Sequence, residues 1–113
     1  MTEHDIQKQI VEYLRLKNIL VFDCDVMGGL QFFSHKDHRR YAFISHHKSM
    51  GYTKGQPDII IALQGNLVAL EVKQEKAYQS KEQKEIQKQL EELNIKYYVV
   101  RSIEDVQLII DLY

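Results

Sequence analysis

The spacing of apolar positions shifts along the chain, and each shift marks an element. Ile6, Ile10, Tyr13 and Leu14 recur at helical spacing, with Gln7, Lys8, Glu12 and Arg15 on the other sides. Thr2-Glu3-His4-Asp5 supplies a capping threonine and first-turn acids, and Asn18 a stop, so a first helix is predicted to about Lys17. Ile19-Leu20-Val21-Phe22 predicts a short strand, broken by Asp23, Asp25 and Gly28-Gly29. Two apolar runs, Ile59–Leu63 and Leu67–Val72, flank Gln64-Gly65-Asn66 and predict a β-hairpin. Ser80-Lys81-Glu82-Gln83 is a capping box ahead of the helical stripe Ile86, Leu90 and Leu93, and Asn94 ends that helix in a left-handed turn. Lys96–Arg101 predicts a strand, and Ser102-Ile103-Glu104-Asp105 opens a last helix carrying Val106, Ile109, Ile110 and Leu112. The crossover from strand 67–73 through helix 80–93 to strand 96–101 is a right-handed βαβ unit, which makes those two strands parallel neighbours.

The hairpin carries the densest candidate chemistry. With Gly65-Asn66 as a two-residue turn of the II′ kind, Gln64 pairs with Leu67 and Asp58 falls opposite Lys73. Side chains alternate with period two, so Asp58, Glu71 and Lys73 then share a face. A three-residue loop would instead pair Asp58 with Val72 and send it to the other face. Charged residues at strand ends are usually solvated, and Glu-x-Lys recurs at Glu82-Gln83-Lys84, so the pair alone says little. The surroundings of Glu71 say more. Leu67 to Leu70 and Val72 are apolar on both faces, and a buried strand ending in Glu and Lys must satisfy those charges by pairing, by shifted pKa or by a metal. Gln83, three residues before Ile86 on its stripe, either caps its helix or faces the sheet beside the carboxylates.

From His35 to Lys54 the chain is basic and aromatic. Lys36, Arg39, Arg40, Lys48 and Lys54 face only Asp37, with Phe32, Phe33, Tyr41, Phe43 and Tyr52 interleaved. Cations for phosphates and rings for bases suit nucleic acid. The plainer reading is a solvated loop with a short strand over Tyr41–Ile44. His35, His38, His46 and His47 have spacings that fit no metal motif.

Composition narrows these readings. A chain of 113 residues makes one domain, residues 1–113. The net charge of −1 argues against a nonspecific polycation, though its distribution leaves nucleic acid open as a partner. No apolar run approaches a membrane span and no signal-peptide segment opens the chain, so a cytoplasmic protein is expected. The single cysteine, Cys24, reads as a small half-buried hydrophobe rather than a nucleophile.

The order of parts resembles the virus-type replication–repair nuclease (VRR-NUC) domain of the PD-(D/E)xK nuclease superfamily. The matching pieces are Glu3 with Ile6-Gln7, Lys54-Gly55-Gln56-Pro57-Asp58, Glu71-Val72-Lys73, Ser80-x-x-Gln83, and Arg101-Ser102-x-Glu104-Asp105. They run in order from Glu3 almost to the last residue, Tyr113; the glutamine at position 56 and the long His-rich insertion depart from the pattern. The resemblance implies a restriction-endonuclease-like α/β/α core, a mixed central sheet flanked by helices. It implies a metal-dependent DNA endonuclease of a free-standing kind associated with phage and bacteria, acting as a homodimer on branched DNA such as four-way junctions. By the same resemblance Asp58, Glu71 and the Val72 carbonyl would ligate Mg²⁺ or Mn²⁺, and Lys73 would orient or deprotonate the attacking water. Glu3 would approach from the first helix and Gln83 would support the site. Ser80, at the start of that helix, joins Lys36, Arg39, Arg40, Lys48 and Lys54 as an expected nucleic-acid contact.

Chemistry supports those roles independently: phosphodiester hydrolysis needs charge neutralisation and an activated water, and hard carboxylate oxygens suit Mg²⁺ or Mn²⁺. Other readings are a restriction-type or general repair nuclease and a catalytically silent nucleic-acid-binding module of the same fold. For a dimer, Tyr97-Tyr98, Tyr113, Phe32-Phe33 and the last helix offer apolar surface beyond what a small core buries.

Overall fold

Each predicted helix start forms by the predicted contacts. In the computed structural model, which describes Met1 to Tyr113 apart from the side-chain environments of Gly29 and Gln31, the Thr2 hydroxyl accepts from the Asp5 N–H at 3.1 Å. The Asp5 carboxylate accepts in return from the Thr2 N–H at 3.0 Å. This opens α1 (Glu3–Leu16), and Asn18 follows it at φ 58. Ser80 and Gln83 form the same box at α3 (Lys81–Glu92), and Asn94 at φ 63 turns the chain out of it. Ser102 accepts from the Asp105 N–H at the start of α4 (Ile103–Ile110).

The strands are β1 (Val21–Asp23), β2 (Ile59–Leu63), β3 (Asn66–Val72) and β4 (Lys96–Val100), in the order β1-β2-β3-β4. The first three are antiparallel and β3–β4 is the parallel pair of the βαβ unit. Ile59, Ile61, Val68, Leu70, Val72 and Val100 point to one face, where they bury against Ile6, Ile10 and Leu14 of α1 and Val106 and Ile109 of α4. Full burial of such side chains stabilises by roughly 1.5–3 kcal/mol each. On the other face Ile60, Leu67 and Ala69 line a cleft with Ile86 and Leu90 of α3. The described residues thus form a mixed α/β domain, a four-stranded mixed sheet with helices on both faces. No helix is long and apolar enough to cross a membrane.

Two expectations fail. Leu63 pairs with Asn66, so the turn is Gln64-Gly65, not Gly65-Asn66. Both turn residues take positive φ, 37 and 84, the I′ geometry whose twist matches the strands it joins. Asn66 starts β3, its side-chain amide donating to the Gln64 carbonyl at 3.4 Å. The register therefore shifts by two: Ile59 lies opposite Leu70, and one step outward sets Asp58 beside Glu71 rather than Lys73. Because the shift is even, no side chain changes face.

The second failure is α2 (His38–Ser49), which replaces the expected loop and Tyr41–Ile44 strand. The Asp37 carboxylate caps it, accepting from the Arg39 N–H at 2.9 Å, and His46, His47 and Lys48 sit in its last turn, where cations suit the helix dipole. Its half-buried residues, Arg40, Phe43, Ile44 and His47, fall at i, i+3, i+4 and i+7. That helical period was present in the sequence beneath the exposed basic residues.

Candidate metal and catalytic centre

Asp58 enters the site from the residue before β2, and its own backbone is held: its carbonyl accepts from the Cys24 N–H at 2.8 Å. Its carboxylate accepts from the Val72 N–H at 2.7 Å. In an extended strand a residue's N–H and C=O leave on the same side, so the Val72 carbonyl also points toward the Asp58 edge. Lys73 instead donates its N–H to Val100 of β4 at 3.0 Å.

Glu71, next to Asp58 on the α3 face, is 1% exposed. The Gln83 side-chain amide donates to its Oε1 at 2.8 Å, and the Tyr97 hydroxyl donates to its Oε2 at 3.3 Å. Gln83 thus fills both roles open to it, since its own Oε1 accepts from the Ser80 N–H at 2.9 Å. Burial, then the Asp58 charge beside it, pushes the Glu71 carboxyl up to about 9. Asp58 is also raised, chiefly by burial, with Asp25 and Glu3 adding repulsion and the Val72 N–H opposing it. Lys73 is 9% exposed and shares this face; among the described residues it makes no ion pair within 4.0 Å.

Buried Glu71 and half-buried Asp58 adjoin, and two carboxylates so close repel unless a proton or a cation neutralises them. Asp58, Glu71 and the Val72 carbonyl offer hard oxygens, a set that would suit an ion keeping most of its waters. Among the described residues no three His, Cys, Asp or Glu side chains cluster to hold a metal by themselves.

Glu3 sits half-buried in the first turn of α1, near enough for its charge to act on Asp58, but among the described residues it makes no side-chain hydrogen bond to the pair. Sequence reasoning missed Asp25, which lines a second, smaller pocket with Asp58 and Gln83 and binds His4 Nε2 at 3.2 Å. Its place after a strand-breaking acid and before two glycines was the only local signal. Tyr97 was also misplaced: it is 4% exposed and belongs to the site, not to a surface for pairing. Tyr98 and Tyr113, both half-buried, bond each other at 3.2 Å, which leaves Phe32 exposed among the aromatic residues proposed for an interface. Burial, then Asp23 and Asp58, pushes the Cys24 thiol up, away from the thiolate form.

The expected phosphate contacts are unequal. Arg39 is engaged with Asp37 at 2.7 Å and lies 5.4 Å from the Phe33 ring centre. Arg40 donates to the Leu30 carbonyl at 3.2 Å, and Lys54 pairs with Glu82 at 3.4 Å. Lys36 and Lys48 are exposed. The exposed Ser80 holds the Gln83 N–H with its hydroxyl at 3.2 Å, a capping role.

Gly55 is where the motif loop meets α3. At φ 90, a Cβ there would lie 2.5 Å from the Glu82 carbonyl carbon and oxygen, so the loop touches the helix backbone one residue before Gln83. The departure at position 56 also has a structural role: the Gln56 amide donates to the Cys24 carbonyl at 2.7 Å and its oxygen accepts from the Thr53 N–H at 3.1 Å. No protein-family model matches the chain, and neither does any curated protein or solved structure.

Proposed function

We propose that this chain is a divalent-metal-dependent endodeoxyribonuclease with a restriction-endonuclease-like core of the VRR-NUC kind. The observation that carries the reading is buried Glu71 beside half-buried Asp58 on the face of Lys73, with Glu71 pushed up to about 9. Asp58, Glu71 and the Val72 carbonyl would hold Mg²⁺ or Mn²⁺. When bound, the ion supplies charge neutralisation at the phosphodiester and an acidified water. The protein's own groups do the rest. The Val72 N–H fixes Asp58, Gln83 and Tyr97 fix Glu71, and Lys73 donates to the attacking water and holds it in line with the phosphorus. Glu3 and Asp25 add negative charge that favours a cation at Asp58.

The substrate is DNA, with branched forms such as four-way junctions favoured by the resemblance, and a homodimer supplies the paired cuts a junction requires. Lys36 and Lys48 are the cations best placed to contact phosphates. The test is nicking of labelled duplex and four-way junctions with Mg²⁺ or Mn²⁺, compared with EDTA. Asp58→Asn and Glu71→Gln should each reduce cleavage to background while the chain stays folded. Full activity in either variant would remove the site assignment. DNA binding without metal-dependent cutting would favour a silent binding module instead.

A further inference from the structure

Glu71 is held from two sides, and the side formed by β4 has a direction built into it. The Gln79 side-chain amide donates to Gln87 Oε1 at 2.9 Å and to the Tyr97 oxygen at 3.3 Å. An amide nitrogen can only donate, so the phenol oxygen must accept there. Its own proton is left to point at Glu71 Oε2, 3.3 Å away. Tyr97 lies opposite Ala69 in the parallel register and on the face of Glu71. The small neighbour leaves room for the ring to lie along the strand toward the carboxylate.

We propose that Tyr97 is a positioning residue for Glu71, and that Gln79 sets the direction of its proton. Each Glu71 oxygen accepts one protein hydrogen bond, Oε1 from Gln83 and Oε2 from Tyr97, which leaves one lone pair on each for a cation. Neutral donors orient the carboxyl group without competing as cations, so its two oxygens are set in place before a hard divalent ion arrives and displaces the proton. Outer partners of this kind typically govern metal affinity by 10–100-fold. The inference rests on the nuclease reading of Asp58 and Glu71, and it concerns binding of the ion more than the chemistry that follows.

The test is calorimetric titration of the full chain with Mn²⁺ alone, without DNA. Tyr97→Phe keeps the ring and removes only the hydroxyl. It should weaken Mn²⁺ binding by about tenfold, with an unchanged far-ultraviolet circular dichroism spectrum and an unchanged KM for DNA. Gln79→Ala should weaken binding less, and the double variant should bind no more weakly than Tyr97→Phe, because both act through one proton. Wild-type Mn²⁺ affinity in Tyr97→Phe would overturn the role of Tyr97 and leave the nuclease reading standing. Additive losses in the double variant would remove Gln79 from the relay. A wild-type chain that takes up no Mn²⁺ would overturn the nuclease reading, and this inference with it.

Discussion

The carboxylate end of the hairpin and the basic segment around α2 carry comparable chemical interest in the sequence, and the fold treats them in opposite ways. Around Glu71 the strand neighbours are set by main-chain registry, with β2, β3 and β4 placing Asp58, Glu71 and Tyr97, and α3 is set against them through Gly55 and Gln83. In α2 no side chain is fully buried, and its attachments are single contacts such as Arg40 to the Leu30 carbonyl and the Phe33–Phe43 ring pair. Polar groups that must act at one geometry are placed where packing over-determines them. The exposed cations around α2, which we propose meet DNA, need only be present and charged. Burial of charge, rather than charge density, distinguishes the candidate site from the basic segment.

Core truncation should separate the two regions most strongly. Leu70→Ala, at a fully buried position between the helices and the hairpin, should cost about 2–5 kcal/mol in urea unfolding. Phe43→Ala, on the half-buried face of α2, should cost about 1 kcal/mol or less. Equal losses would mean that α2 is part of the core and that the contrast is wrong.

Gly55→Ala probes the joint between the motif loop and α3. The left-handed φ and the 2.5 Å approach to Glu82 should together cost about 1–3 kcal/mol. The shift should also loosen the Gln83–Glu71 bond and lower cleavage. Wild-type stability and activity would show that the loop can leave the helix freely.

Glu71 links the site to pH. Unfolded, its carboxyl titrates near its ordinary 4.5; folded and metal-free, it is raised to about 9. Between those values the folded chain binds a proton that the unfolded chain has released. The stability this group contributes is therefore full below about pH 4.5 and is lost as pH rises toward 9. Glu71→Gln cannot ionise, and its single amide oxygen can accept from only one of Gln83 and Tyr97. In EDTA its stability should fall less than the parent's between pH 5 and pH 8, by up to about 4 kcal/mol. Parallel pH profiles for the two proteins would show that Glu71 is not strained as a carboxylate.

The smallest expected effect on stability lies in the basic segment. Lys36→Ala and Lys48→Ala should change unfolding by less than about 0.5 kcal/mol. Each should nonetheless reduce the salt slope of DNA binding by about one unit. Arg39→Ala should reduce it less, since its guanidinium is already held by Asp37. An unchanged slope in both lysine variants would make α2 a solvated helix and nothing more.

Local signals in the sequence determined most of the framework. The boxes at Thr2 and Ser80, the stops at Asn18 and Asn94, the period-two hairpin and the crossover to β4 all act over a few residues, so they are legible without tertiary context. The shared face of Asp58, Glu71 and Lys73 was legible too, although the turn was misassigned, because a shift of two residues preserves side-chain alternation. The helix α2 was partly legible, through Arg40, Phe43, Ile44 and His47, and was masked by the charges between them. What only the tertiary structure decided is which groups are brought together from distant segments. The Tyr97 hydroxyl, the Asp25 carboxylate and the close approach of Gly55 to α3 depend on packing between residues far apart in sequence, where no period or cap reaches. The pKa of Glu71 belongs with them, because it arises from desolvation by the assembled layers rather than from Glu71 and its sequence neighbours.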